Sequence, residues 1–199
     1  MRGRWTAASL SLVSCLASAS AASAGHPQER HGFWINLGGG VGSAQISCDD
    51  CPSDRETAVV GHVALGGTLN EHLLVGADIN LWSKEQDGVT VNLYNALATL
   101  TIYPKASSGF FLKAGAGLSF ADNDVRAEST TITLDFGNGL GLVAGAGYDV
   151  RVWRNVSITP AVSFWYGRHG DVLVLGETFS VFSNWRHNVV DFTVGVTFH

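Results

Sequence analysis

Long apolar runs, helical periodicity and basic patches are all missing from this 199-residue sequence. A membrane-spanning helix needs about 20 consecutive apolar residues, and no segment supplies them. The formal net charge of −5 argues against a nucleic-acid partner, because such affinity comes largely from neutralising phosphates. Neither a metal-ligand cluster nor a phosphate-binding glycine loop is present, so the sequence predicts no metal and no cofactor.

Cysteine is also scarce, with three residues in the chain. Cys48 and Cys51 form a C-x-x-C pair in an acidic loop that contains proline. In an exported protein such a pair predicts a small disulfide loop. A redox pair, which favours a helix N-terminus, and half of a zinc site, which needs two further ligands, are the alternatives.

Residues 1–24 have the pattern of a signal peptide. Arg2 and Arg4 precede a short apolar run, which ends on the small residues of 22–24 and predicts cleavage before Gly25. Cleavage removes two arginines and no acid, so the formal charge falls from −5 to −7. A lipobox-like segment at residues 12–15 offers the alternative that Cys15 is lipidated. Residues 25–199 are then one domain.

The exported part alternates apolar with small or polar residues at a period of two, which predicts β-strands. Both faces of each strand follow from this phase: Leu112 and Leu142 belong to the apolar set, and Lys113 to the polar set. We predict eight strands, over Phe33–Ile46, Val59–Leu69, Leu73–Ser83, Val89–Tyr103, Phe110–Phe120, Leu140–Val152, Val156–Gly167 and Val189–Phe198.

The connections between these strands alternate in length. Those after odd-numbered strands are longer or more acidic, and residues 121–138 and 168–188 are the longest. In an up-and-down antiparallel sheet this places the long loops at one end and the short turns at the other, as in outer-membrane barrels. Further alternation at 131–136, and at 172–175 against 178–182, predicts that the strands continue as hairpins beyond the membrane.

Residue size indicates which face looks inward. The polar face is crowded with glycine, and the interior of an eight-stranded barrel is only wide enough for side chains to fill it. The bulky apolar face therefore points outward into lipid. A soluble lipocalin-like barrel has the opposite orientation, and Gly32-Phe33-Trp34 matches the G-x-W at the start of such proteins.

Aromatic residues cluster near both strand ends, which predicts two rings at the membrane interfaces. The ring near the short turns comprises Phe33, Tyr103, Phe110, Trp153 and Phe198, and the ring near the long loops Trp82, Phe120, Trp165, Tyr166 and Trp185.

From Gly32 onward, the sequence resembles the eight-stranded outer-membrane β-barrel proteins of Gram-negative bacteria, the OmpA-like, OmpX-like and OmpW-like types. The resemblance implies an all-β transmembrane barrel with long extracellular loops and short periplasmic turns. It also implies that "FTVGVTFH" is the final membrane strand and that Phe198 is the assembly signal read by the barrel-assembly machinery. The implied surroundings are outer-membrane lipid, with an extracellular ligand of the acidic loops as a further partner.

Several charged or titratable side chains share the inward phase and must be paired, because burying a lone charge costs several kcal/mol. We predict a polar network that plugs the lumen, and a proton or ion path through it is the alternative. The set is His62, Asp78, Lys113, Asp149, Arg151 and Asp191.

Catalysis is not predicted. His169, His187 and Ser183 lie near Glu177 and Asp171, but the His-x-Ser spacing expected of a base and nucleophile on one strand face is absent.

The sequence as a whole favours a structural or surface-interaction role in the outer membrane. The alternative is a small pore or a path for hydrophobic molecules; a soluble lipid binder and a lipid hydrolase are less favoured.

Overall fold

The computed structural model describes residues 27–48, 54–127, 130–173 and 180–199, and the side chains among them except at 125–136 and 170–184. The predicted signal peptide, its cleavage before Gly25 and the alternative at Cys15 lie outside the described residues. The strands are β1 Phe33–Ser47, β2 Arg55–Asn70, β3 Leu73–Gln86, β4 Val89–Ile102, β5 Phe110–Ala127, β6 Thr130–Tyr148, β7 Val150–Trp153, β8 Val156–Leu173 and β9 Ser180–Phe198.

The strands close into a barrel. Neighbours in the chain pair antiparallel, and β1 pairs with β9 to complete the circle. Strands β6 and β7 are one barrel strand interrupted at Asp149, and both pair with β8. The predicted eight-stranded antiparallel barrel is therefore confirmed. The described residues form no helix that could cross a membrane.

The two ends of the barrel differ, although less simply than predicted. Short turns join β2 to β3 at Glu71-His72 and β7 to β8 at Arg154-Asn155. At the opposite end Asp87 (φ 53°) and Gly88 (φ 79°) form a two-residue turn with left-handed backbone, as hairpins of this length require.

The segments 121–138 and 168–188, predicted as the longest loops, are mostly strand. The β5–β6 ladder continues to Ala127 and Thr130, and the β8–β9 ladder to Leu173 and Ser180, through several register shifts. At one shift Phe136 and Gly137 (φ 77°) face a single residue of β5, which makes a glycine bulge. The predicted continuation at 131–136 is thus present, and the second is present as far as Leu173 and from Ser180, while residues 174–179 lie outside the described part of the chain.

The faces lie as the sequence predicted. Leu112, Leu142 and Val194 point outward and are 46%, 40% and 46% exposed, whereas Asp78 is fully buried in the lumen. Such a surface is stable in lipid, because the closed barrel leaves no strand edge unpaired. This orientation is the reverse of that of a lipocalin.

The prediction of two aromatic rings was wrong for four residues. Tyr103 at the short-turn end, and Trp82, Trp165 and Trp185 at the other, are buried inside the barrel. Their phase explains this, since Trp82 alternates with the outward Leu81. Phe33, Phe110, Trp153 and Phe198 do face outward, with exposures of 42–72%.

Candidate functional site: the barrel lumen

The centre of the lumen holds a buried ion pair. Lys113 on β5 reaches across β4 to Asp78 on β3, with 2.5 Å between Nζ and Oδ2. The residues between them on β4 and β5 are Thr99 and Gly115, which are too small to block this path. Asp78 Oδ1 has no hydrogen-bond partner among the described residues. The pair therefore uses one of the two carboxylate oxygens of Asp78.

A directed hydrogen-bond chain runs from this layer toward the short-turn end. His62 Nε2 contacts Asn36 Oδ1, and the Asn36 amide donates to Thr197 Oγ1 over 2.5 Å. The hydroxyls of Thr197 and Thr159 are 2.6 Å apart, and Thr159 donates to Asp149 Oδ1 over 2.8 Å. Each group donates to the next, so the carboxylate of Asp149 is the final acceptor.

Asp149 collects further contacts where β6 gives way to β7. The Tyr103 hydroxyl donates to Asp149 Oδ2 over 2.7 Å, and His199 Nε2 lies 3.6 Å from the same oxygen. A phenol keeps its proton at neutral pH, so Tyr103 is the donor in this bond and the carboxylate is the acceptor. The side chain of His199, the residue after Phe198, therefore lies in the lumen.

A short segment before β1, the N-terminal strap (residues 27–31), crosses the short-turn mouth. Arg30 is fully buried, with its guanidinium 3.5 Å from the centroid of the Tyr103 ring. Its Nη1 donates to the carbonyl of Ala106 over 2.9 Å and its Nη2 to that of Ser108 over 2.8 Å. These bonds tie the strap to the β4–β5 turn.

The other side of the strap is bound to β7 and its junction. Arg151 donates from Nη2 to the carbonyl of Glu29 over 2.7 Å, and the Gln28 amide donates to the carbonyl of Asp149 over 3.0 Å. In the described residues Arg151 thus bonds to main chain, without an ion pair within 4.0 Å. Its role differs from that of Lys113.

Asp191 lies in the same layer as the ion pair but has another partner. The indole of Trp165 donates to Asp191 Oδ2, while Lys113 is paired with Asp78. The six residues predicted for the lumen therefore all lie inside it. Lys113 and Asp78 form a pair, and His62 and Asp149 are the two ends of the hydrogen-bond chain. Arg151 and Asp191 each make a separate contact.

Apolar side chains fill the lumen beyond this layer. Trp82, Leu93 and Trp165 are buried there, and the Trp82 indole donates to the carbonyl of Gly42 over 3.0 Å. In the half nearer the short turns, a glycine on a neighbouring strand makes room for a ring: a Cβ on Gly147 would strike the Phe111 ring. Lys84 and Glu56 form an ion pair at the outer mouth.

A serine–histidine contact that the sequence did not indicate lies in this outer half. Ser119 Oγ is 3.2 Å from His169 Nε2, and His169 Nδ1 is 3.3 Å from the carbonyl of Gly137. Ser119 is fully buried. The His187 ring lies 5.5 Å from that of His169. We assign this pair to packing of the lumen.

The remaining predicted site residues lie at the barrel ends. Cys51 is outside the described residues, as are Glu177 and the side chains of Asp171 and Ser183, so the Cys48–Cys51 disulfide stays a prediction. Phe198 faces outward, paired in register with Ile35 and Val156. Its part in barrel assembly also stays a prediction. The described residues contain no cluster of three metal-binding side chains.

Sequence phase could have found Asn36, Thr159 and Thr197, since all three share the inward phase of their strands. Arg30 could not be found in this way, because it precedes β1, where no alternation of residues indicates which side chains point inward.

Comparisons with known proteins agree with this architecture. Neisserial surface protein A has a TM-score of 0.57 at 18% identity, over 85% of this chain and 98% of that one. Ail, the attachment invasion locus protein of Yersinia pestis, has a TM-score of 0.53 at 11% identity, over 84% of this chain and 99% of that one. No curated protein sequence matches significantly. A model of the outer membrane protein beta-barrel domain matches residues 8–198, and the chain belongs to this outer-membrane family.

Proposed function

We propose that the protein is a closed outer-membrane anchor with a structural or surface-interaction role and no steady conduction through its lumen. The observation that carries the proposal is the occupied lumen. The strap is bonded to both sides of the short-turn mouth, the Lys113–Asp78 pair lies inside the lumen, and buried tryptophans pack in the outer half.

The free space at the centre of the lumen is small, which supports this interpretation, whereas a wider recess of about 310 Å³ lies at the outer mouth between Trp82 and Lys84. A cavity of about 60 Å³ remains between Lys113 and Tyr103, which is room for a few water molecules. Trp34 and Phe111 line it together with His62. A hydrated ion passing along the axis would have to displace both the Arg30 contacts and the apolar layer.

The projecting hairpins support the interactive part of the proposal. A tilted strand needs about 9–11 residues to cross a bilayer, whereas β5, β6, β8 and β9 have 18 or 19. Among the described side chains of β9 the outward apolar set begins at Val190, and the outward Arg186 and Asn188 lie beyond it. These hairpins are the parts of the protein that an external partner would meet first.

Conductance of the purified barrel in planar bilayers tests the closed lumen. We expect no steady current from the wild-type protein. A stable conductance would instead support the small-pore alternative.

Trimming tests whether the β8–β9 hairpin is separable from the barrel. Replacement of residues 171–182 by a two-residue turn should preserve heat-modifiable gel migration, because the segment lies beyond the apolar surface. Loss of the folded band would mean that the hairpin supports the barrel, and it would contradict a purely interactive role for this segment.

A further inference from the structure

Two arginines stand side by side on the outer surface of the barrel. Arg168 on β8 and Arg186 on β9 are register partners, and both are exposed. They continue the outward phase of Phe164 and Val190, which are 46% and 43% exposed. The two guanidinium groups therefore lie where these strands leave the apolar surface, on the side opposite the short turns.

Like charges directly opposite each other destabilise an antiparallel pair. Among the described residues, neither Arg168 nor Arg186 has a carboxylate within ion-pair distance or a side-chain hydrogen bond. The register keeps both cations together without an internal anion. An external anion would remove the repulsion.

A third arginine extends toward the same place from β2. Arg55 donates from Nε to Ser43 Oγ over 3.2 Å and from Nη1 to Asn188 Oδ1 over 3.0 Å. These bonds direct its side chain across β1 to β9, where Asn188 is two positions from Arg186. We call Arg55, Arg168 and Arg186 the arginine arc.

The outward surface of the opposite strands has the other sign. Asp122 and Asp124 on β5 and Glu85 on β3 follow the apolar residues there, and Asn92 donates to Asp122 over 2.9 Å. The charge is thus separated around the barrel. Among the side chains that the structure describes, this polarity favours an anion at the arginine arc over the β3 and β5 side of the rim.

We propose that the arginine arc binds the phosphate groups of a phosphorylated outer-leaflet lipid. Guanidinium pairs with phosphate through two parallel hydrogen bonds, and its planar fork suits that geometry better than an ammonium does. The site adjoins the apolar surface, so the acyl chains of such a lipid rest on Phe164 and Val190 while its phosphates reach Arg168 and Arg186. This inference is independent of whether the lumen is closed.

Native mass spectrometry of the barrel in a glucoside detergent, which carries no phosphate, tests the site with diphosphorylated lipid A as the probe. We expect the wild type to retain one lipid A. Arg168→Gln/Arg186→Gln should weaken retention by about tenfold or more, because charge-assisted hydrogen bonds are lost. Lys105→Gln/Arg154→Gln is the matched control, since it removes two exposed cations at the short-turn end and should retain lipid as the wild type does.

If the glutamine variant does not give the heat-modifiable folded band, Arg168→Lys/Arg186→Lys replaces it as the test variant. This variant keeps both charges but loses the planar guanidinium, so it should bind lipid A more weakly than the wild type does. Equal retention of dephosphorylated lipid A would show acyl-chain binding and overturn the proposal. Competition by inorganic phosphate at concentrations similar to those of lipid A would assign the arc to free phosphate. Tighter binding of sucrose octasulfate than of lipid A, lost in the glutamine variant, would assign it to a sulfated sugar. Either result would also overturn the lipid proposal.

Discussion

The imidazole of His62 lies over Gly38, its register partner on β1. A Cβ added at Gly38 would fall 2.8 Å from His62 Nε2 and 3.0 Å from Cα of Gly195 on β9. The ring and the neighbouring backbone both occupy the space that a side chain would need. Gly38 is therefore required by the position of His62 rather than by its own backbone conformation.

Gly38→Ala should destabilise the barrel by about 1–3 kcal/mol, the usual cost of overpacking. The methyl group displaces the His62 ring and with it the contact to Asn36. Urea unfolding in phosphatidylcholine vesicles, followed by tryptophan fluorescence, measures the change.

Gly39→Ala is the matched control. Gly39 faces outward, and a Cβ there would approach only the carbonyl of Val60, at 3.4 Å. We expect unchanged or slightly higher stability. Equal losses at Gly38 and Gly39 would mean that the strand, and not the ring, requires glycine.

The Lys113–Asp78 pair predicts a large asymmetry between single and double variants. Lys113→Met should cost about 3–5 kcal/mol, because it leaves Asp78 charged and buried without its partner. Combining it with Asp78→Leu should recover most of that loss, since no unpaired charge remains. The same vesicle unfolding assay gives the three free energies.

Lys84→Met tests whether burial causes this effect. Lys84 and Glu56 also form an ion pair, but their side chains are 23% and 53% exposed. Exposed pairs contribute about 0–1 kcal/mol, so this variant should change stability little. A loss at Lys84 as large as that at Lys113 would contradict the assignment of Lys113 to a buried network.

The strand pattern predicted the barrel because one physical rule, alternation across a sheet with lipid on one side, decides nearly every outward position. The lumen is harder to predict. Whether Trp34 or Phe111 fits inside depends on a glycine of another strand, and that pairing is known only once the register is known. The phase of Trp82 places its ring inside, whereas its position near the strand end is typical of an interfacial aromatic residue.

The N-terminal strap shows where the pattern ends. Arg30 lies before the first alternating segment, and its partners are main-chain carbonyls of a turn 76 and 78 residues away. Every residue has a main-chain carbonyl, so the residue types in the sequence do not indicate which carbonyls will accept a hydrogen bond from Arg30. The network predicted from charge pairing therefore missed a buried cation.

Thr159→Val should interrupt the chain that ends on Asp149. The variant keeps the side-chain shape but removes one donor from Asp149 Oδ1 and the acceptor next to Thr197, so we expect a loss of about 1–3 kcal/mol. Urea unfolding measures the loss.

Ser157→Ala is the control on the same face of β8. Ser157 is fully buried, but its hydroxyl has no hydrogen-bond partner in the described part of the chain. Its removal should be neutral or stabilising, because no bond is lost. If both variants lose stability equally, burial of the hydroxyl and not the directed chain is responsible.

Arg30→Ala should loosen the strap and the turn that it holds. The substitution leaves the carbonyls of Ala106 and Ser108 without their donor and uncovers the Tyr103 ring, so we expect faster hydrogen exchange at the amides of 103–109 and a stability loss of about 1–3 kcal/mol. Arg154→Ala removes an exposed arginine at the same end and should leave both quantities unchanged.

Because Arg151 and Gln28 still hold the other side of the strap, the Arg30→Ala variant should stay closed in planar bilayers. Arg30→Ala/Arg151→Ala frees both sides, and current in this variant alone would identify the strap as the seal. Unaltered exchange in Arg30→Ala would mean that the turn is ordered without the strap.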